Sequence, residues 1–361
     1  MGQTVAAIRG VKARSVVVPL KRPVKTAFGV IDSGPLVLID VETDQGVTGR
    51  TYIFAYSRLT LEPLVYLIEE IGRELIGKPV APFDLMKAMD AKFRLLGWQG
   101  LVGMAVSGLD MAYWDVIGQI AGRPLAELLG GSVKPVKAYD SYGAVDPATD
   151  ERALRRSLDQ GFKGIKIKVG DGDAANDERV VKGVRALLGP DIALMIDFNQ
   201  SLDPAEAISR IARLAPYGLH WIEEPVPQEN LSGHARVRKA SPTPIQAGEN
   251  WWFPRGFAEA IAAGASDFIM PDVMKVGGVT GWLQVAGQAD AASIPMSSHL
   301  FAEVSSHLLA VTPTAHWLEF LDFAGTILAN PAEVVDGAVS ARGPGLGIEW
   351  NEPAITKYLV S

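Results

Sequence analysis

Cysteine is absent from the 361 residues, which excludes disulfides, thiolate metal sites and a cysteine nucleophile. No uninterrupted apolar run reaches the ~18 residues of a membrane helix, so no membrane partner is expected. Charge of one sign is not concentrated either. The balance of 34 Lys+Arg against 41 Asp+Glu leaves −7, spread without a long single-sign run, which argues against nucleic acid as a partner. The opening stretch MGQTVAAIRGVKARS lacks the apolar core of a secretory signal. Gly2 is followed by Ala6 where a myristoylation pattern wants Ser or Thr. A cytoplasmic protein is the default expectation.

What the chain does have is apolar bulk, 48% of residues, and 37 well-spread glycines, the mark of a folded α/β protein. Its length suits a barrel plus one smaller unit. Val16 to Leu20, Pro35 to Glu42 and Val47 to Phe54 read as antiparallel strands, with Asp44-Gln45-Gly46 as a turn. Lys21 to Gly34 between the first two reads as a loop, unusual in carrying Val24, Phe28 and Ile31; packing onto the next domain would be reason enough for them. Leu64, Leu67, Ile68, Ile71 and Leu75 define an amphipathic helix stopped by Gly77-Lys78-Pro79. Pro82 to Leu96 and the nearly all-apolar Gly103 to Ala121 continue as helices, the second expected to be buried.

From Lys137 the rhythm becomes strand–helix alternation. Strands are expected at Val136–Ser141, Gly164–Val169, Ala193–Phe198, Leu219–Ile222, Ile245–Ala247, Phe268–Met270, Ile294–Ser297 and Trp317–Phe320. That repetition implies a parallel α/β barrel. The Gly/Pro-punctuated tail from Leu328 onward should pack back on the first domain, with Gly343-Pro-Gly-Leu-Gly347 as a loop. The expected units are 1–131, an N-terminal α+β domain; 132–324, the barrel; and 325–361, a returning C-terminal segment.

Polar groups end the apolar strand runs at a nearly constant period. Asp197, Glu223 and Glu249 are 26 residues apart, Asp272 follows 23 later and His299 another 27. A (β/α)₈ barrel spends ~250 residues on eight units and keeps its chemistry at the C-terminal ends of the strands. Any one of the three carboxylates could be a helix cap; three at one period are better read as a set of hard oxygen ligands, suited to Mg²⁺. Strand residues two apart face the same way, so Lys166 points with Lys168 and Asp197 with Asn199. Inward lysines require anions to meet them. His299, with Asp272 ending the preceding strand, can work as one base. The other histidines, at 220, 234, 307 and 316, read as structural.

KIK, MIDFNQSL, WIEEP, QAGENW, MPDVMKVGGVTGW, PMSSHLF and HLLAVTPTAHWLE together resemble the enolase superfamily, specifically its mandelate racemase/muconate lactonizing enzyme family. The resemblance runs over essentially the whole chain, including PLVLID and FAYS in the first domain and AYDS before the barrel repeats. It implies a modified TIM barrel of (β/α)₇β type, capped at its mouth by the N-terminal α+β domain, whose Lys21–Gly34 segment closes over a small carboxylate substrate. By this resemblance Asp197, Glu223 and Glu249 hold Mg²⁺. Lys168 is the base on one substrate face, and Lys166 sits beside the substrate carboxylate and depresses the pKa of Lys168. His299 with Asp272 is the base on the other face, and Glu319 is the acid toward the enolic oxygen. Ser141 and Asn199 are expected substrate contacts, and Val24, Phe28, Ile31, Tyr56, Leu300 and Leu321 an apolar pocket. Symmetric homo-oligomers are common in such a family.

The implied chemistry is abstraction of the proton alpha to a carboxylate through an ene-diolate, which superfamily sites run with a Lys or His base and Mg²⁺. Bases on both faces imply racemisation of an apolar, mandelate-like 2-hydroxy acid. Expulsion of water from an aldonate or aldarate, an acid-sugar dehydratase, would use the same residues. A non-catalytic barrel binding a carboxylate would need no bases on two faces. Two departures touch substrate choice: Phe28 stands where the family's namesake has a smaller aliphatic residue, and Tyr142 follows Ser141 where it has His. A bulky Phe28 would shrink or reshape an aryl pocket.

Overall fold

The computed structural model describes residues 5–26 and 29–360. It opens with an antiparallel three-stranded meander, β1 (Ile8–Thr26), β2 (Gly29–Thr43) and β3 (Thr48–Phe54). The described residues of the segment read as a loop, 21–26 and 29–34, instead continue this hairpin. Val24 pairs with Ile31, Lys25 with Val30 and Thr26 with Gly29, beyond a register shift between Pro19 and Val24. Pro23 and the mixed apolar pattern suggested a loop, but a two-stranded ribbon needs only backbone pairing once its base is anchored in a sheet.

From Leu36 to Val41 every residue except Asp40 is fully buried, and Asp40 nearly so, so central β2 is covered on both faces. Helices α1 (Leu61–Leu75), α2 (Pro82–Phe93), α3 (Leu101–Ala121) and the short α4 (Leu125–Leu128) complete this cap. Leu64, Ile68, Ile71 and Leu75 form the buried stripe of α1. Helix α2 stops at Phe93 rather than Leu96, and Leu95 and Leu96 are exposed. Helix α3 lies tightly on the sheet, because a Cβ on Gly49 would overlap the Ala112 carbonyl and one on Gly108 would overlap Ile39.

The barrel is built from β4 (Val136–Ala144), α5 (Glu151–Asp159), β5 (Gly164–Lys168), α6 (Ala174–Leu188), β6 (Ala193–Asp197), α7 (Pro204–Leu214), β7 (Trp221–Glu223), α8 (Leu231–Ala240), β8 (Ile245–Ala247), α9 (Phe253–Ala263), β9 (Phe268–Ile269), α10 (Gly278–Ala291), α11 (Ala302–Val311) and β10 (Leu318–Phe320). Strands β4 to β9 pair in parallel in chain order, and β10 closes back on β4. The seventh strand, expected at Ile294–Ser297, is reduced to single bridges, Ile269–Met296 and Met296–Ala315. No barrel helix follows β10 among the described residues, which makes the observed order (β/α)₇β.

The tail adds the small hairpin β11 (Val334–Val335) and β12 (Ala338–Val339), β12 pairing antiparallel with β4. Gly345 and Leu346 then wrap the buried Asp115 of α3, whose Oδ1 accepts the Leu346 N–H at 2.6 Å. Helix α12 (Glu352–Tyr358) leads to Val360, whose N–H donates to the Ser15 carbonyl at 2.9 Å. The tail therefore ties barrel and cap together. No helix among the described residues is long and apolar enough to cross a membrane.

Candidate active site

Strand register brings the charged groups together. Lys168 is the ladder partner of Asp197, and Asp197 of Glu223, across β5, β6 and β7. Glu249 reaches the same point from the loop after β8, turned there by Gly248 at φ +135°. One carboxylate oxygen from each of Asp197, Glu223 and Glu249 lies within 4.8 Å of the others, and all three side chains are buried.

The donors around this triad hold it in shape. Lys166, 1% exposed, ion-pairs with Glu223 Oε1 and, at 2.8 Å, with Glu319 Oε1. Glu223 Oε2 accepts Trp221 Nε1–H at 3.0 Å and Gln246 Nε2–H at 3.2 Å. Lys168 donates to Asp197 Oδ2 at 2.6 Å and Asn199 Oδ1 at 2.7 Å. Burial pushes Glu223 up to about 8; Lys166 opposes the rise while Asp197, Glu249 and Glu319 add to it. A carboxylate that stays raised beside its own lysine marks a site short of positive charge. Three buried hard oxygen donors short of positive charge fit a dication such as Mg²⁺.

Lys168 feels the depressing charge of Lys166 that was expected, among larger opposing effects. Burial and Lys166 do lower its pKa, but Asp197, its hydrogen-bond partner, and Glu249 outweigh them and the net shift is upward. Glu319 is likewise pulled in opposite directions by its surroundings. Burial raises its pKa, but Lys166 and His299 bring it down to about 2.

The bridge between Asp272 and His299 sets the second base. His299 Nδ1 is 2.7 Å from Asp272 Oδ2, and Asp272 Oδ1 accepts the Met274 N–H at 2.7 Å. With its Nδ1 proton directed at Asp272, His299 turns Nε2 to Glu249 Oε2 at 3.5 Å and Glu319 Oε2 at 3.8 Å. Burial disfavours its charge, but Glu249, Glu319 and Asp272 raise its pKa to about 9.

Part of this set opens into a cavity of about 370 Å³ under the cap, while Asp197, Glu223 and Asp272 are not in its lining. Lys168, Glu249, His299, Glu319, Ser141 and Asn199 line it, as do Val24, Ile31, Tyr56, Leu300 and Leu321. Phe28 lies outside the described residues. Lys166, expected to touch substrate, stands behind the lining, between Glu223 and Glu319. Tyr142 is turned away, its hydroxyl 2.6 Å from Ser157 Oγ and its ring 3.6 Å beneath the Arg22 guanidinium. Arg22 donates to Asp140 and to the Ser141 carbonyl, which anchors the base of the hairpin on β4. Gly143 allows the approach, since a Cβ there would overlap the Lys25 backbone. Histidines 220, 234, 307 and 316 do not line the cavity.

Sequence reasoning missed Gly29, Val30, Phe54, Gln200, Glu224, Asn250 and Phe323 on the same walls. Glu224 and Asn250 adjoin metal-ligand candidates, and that adjacency was the available signal. Tyr56, Asn199, Gln200, Glu224 and Leu300 all have positive φ, from 37° to 66°. Backbone held in that region by non-glycine residues clusters at functional sites, and residue type does not announce it.

A sequence model of the mandelate racemase/muconate lactonizing enzyme N-terminal domain matches residues 8–130, and one for the enolase C-terminal domain-like fold matches residues 149–354. The chain belongs to the enolase superfamily. Within that superfamily it is 32% identical to D-galactarolactone cycloisomerase of Agrobacterium fabrum, over 94% of this chain and 95% of the relative. It is 31% identical to L-talarate/galactarate dehydratase of Salmonella typhimurium, over 96% and 90%. A Bradyrhizobium enolase solved with magnesium and mandelic acid superposes with a TM-score of 0.98, at 72% identity and with both chains covered in full. The protein is thus an enzyme of the mandelate racemase/muconate lactonizing family in the enolase superfamily.

Proposed function

We propose that this enzyme removes the proton alpha to a carboxylate and racemises an apolar 2-hydroxy acid of mandelate type, with Lys168 and His299 as its two bases. The observation that carries this is their placement. Lys168 on β5 and His299 beyond β9 open into one cavity on either side of the adjacent strands β4 and β10, which contribute Ser141 and Glu319. The apolar wall of Val24, Val30, Ile31, Leu300, Leu321 and Phe323 suits an aryl or alkyl substituent. The 72%-identical relative solved with magnesium and mandelic acid supports the same reading.

Asp197, Glu223 and Glu249 would hold Mg²⁺, which supplies positive charge to a substrate carboxylate as negative charge builds there. Lys166 places a second positive charge at that end of the cavity. Lys168 is protonated while Asp197 holds it, so it becomes a base only as that pairing relaxes, and the charge of Lys166 favours the neutral form. His299 takes or delivers a proton at Nε2 while Asp272 stabilises the imidazolium. A substrate carboxylate that draws on Lys166 would weaken its hold on Glu319, which could then take a proton from solvent water and donate a hydrogen bond to an enolic oxygen. Each of these interactions strengthens as charge develops, which is what accelerates a reaction.

The polar wall of Asn199, Gln200, Asn250 and Glu224 favours a second reading, water loss from a sugar acid, and the Salmonella relative is named for that reaction. Proton NMR in D₂O with Mg²⁺ separates the two, using both enantiomers of mandelate beside a panel of aldonates and aldarates. Racemisation with loss of the alpha-proton signal supports the first reading. A 2-keto-3-deoxy product from a sugar acid, with mandelate inert, replaces it by the second.

A further inference from the structure

Lys275 belongs to none of the roles above, yet it is a buried cation beside the cavity. It sits in the turn between β9 and α10, where its N–H donates to the Asp272 carbonyl at 3.0 Å and its carbonyl accepts the Phe253 N–H at 3.2 Å. Its Nζ donates to Asn250 Oδ1 at 2.5 Å and lies 4.7 Å from the centre of the Tyr56 ring, on the cap. Asn250 in turn donates from Nδ2 to both oxygens of Glu224, at 2.9 Å each, and to Glu249 Oε1 at 3.3 Å. Gln200 Nε2 supplies a further donor to Glu224 at 3.1 Å.

The chemistry of these atoms fixes a direction. An ammonium group only donates, so the Asn250 atom that meets Lys275 must be the amide oxygen. The amide nitrogen is then forced toward Glu224 and Glu249, which only accept when ionised. Lys275 on one side and the two glutamates on the other hold the amide in one orientation, and without the ammonium its oxygen loses the donor that anchors that side. We propose that Lys275 is a positioning residue for the metal ligand Glu249, acting through the side-chain amide of Asn250. This rests on the metal role given to Asp197, Glu223 and Glu249 above. It places the lysine in the shell that orients a ligand, where substitutions cost ~10–100-fold in metal affinity. Because the same ammonium holds Tyr56, the cap's cavity wall is tied to the group that orients Glu249.

The test is Mn²⁺ binding to the metal-free enzyme, read from the EPR signal of free Mn²⁺, with no substrate present. K275M is expected to weaken binding by ~10–100-fold. K275R, which still donates to Asn250, is expected to recover most of the loss. N250L should weaken binding similarly, and K275M/N250L should be no worse than N250L alone, as for two members of one chain of contacts. Wild-type affinity in K275M, or losses that add in the double variant, would overturn the proposal. If K275M does not fold, N250L carries the test, since it leaves Lys275 against Tyr56; unchanged Mn²⁺ binding in N250L overturns the relay. Failure of the wild type itself to bind Mn²⁺ would instead remove the metal triad, and the proposed function with it.

Discussion

Asp272→Asn isolates the His299 base, and the geometry says how it should fail. The Met274 N–H points at Asp272 Oδ1 from 2.7 Å, so an asparagine must leave its oxygen there. Its NH₂ group then faces His299 Nδ1, which has to accept rather than donate. The ring proton moves to Nε2, toward Glu249 and Glu319, and the lone pair that should take a substrate proton is lost. The negative charge that stabilises the imidazolium goes with it. Loss of a positioned general base costs ~10²–10⁴ in rate, and the tautomer switch puts this variant at the upper end. The expected fall is ~10³-fold or more, about 4 kcal/mol on the barrier at ~1.4 kcal/mol per factor of ten. The assay is alpha-proton exchange in D₂O with each enantiomer of the hydroxy acid separately. Exchange of the enantiomer whose proton faces Lys168 should persist with retained configuration, while exchange of the other and racemisation collapse together. Equal slowing of both enantiomers, or unchanged exchange on the His299 face, would refute the reasoning.

Stripping the metal with EDTA should abolish exchange, and Mg²⁺ should restore it; E249Q should weaken Mn²⁺ binding and, in the metal-free enzyme, lower the pKa of His299, followed by NMR, because Glu249 is the largest of the groups that raise it. Asp110, buried in α3 with its carboxylate on the Thr280 N–H and Oγ1, is raised by burial from the ordinary 3.8 to about 7. The folded state therefore holds a proton that the unfolded state releases between those values, and stability falls as pH rises from about 4 to about 7. About 3 units at ~1.4 kcal/mol each bounds the effect at about 4 kcal/mol. Denaturant melts of metal-free D110N should lack that part of the wild-type slope, and parallel slopes would contradict the assignment. G143A should push the hairpin base off β4 through contact with Lys25; strain of ~1–3 kcal/mol should appear mainly as a raised KM, and an unchanged KM would mean that the hairpin position does not govern binding.

The barrel and its charged groups were legible because each polar residue ended a short apolar run that had to be a buried strand. Asp197, Glu223 and Lys168 then meet through parallel register alone. The seventh strand was overread because Ile294 to Ser297 has strand-like composition, while the chain there makes only single bridges. The described strands at 21–26 and 29–34 were misread for the opposite reason, as their pairing is set by the sheet below them rather than by their own residues. Charge state was the least legible property. Lys168 is raised and Glu319 lowered by partners that only the folded arrangement supplies. The polar wall of Gln200, Glu224 and Asn250 depends on positive φ and on amide orientation, neither of which leaves a mark in residue type.

The most direct measurement of the central claim follows deuterium at the alpha carbon of mandelate, starting from each pure enantiomer, with Mg²⁺ and the wild-type enzyme in D₂O. Two bases on opposite faces predict that both enantiomers exchange and interconvert. Exchange of one enantiomer without inversion, or of neither, would contradict the account.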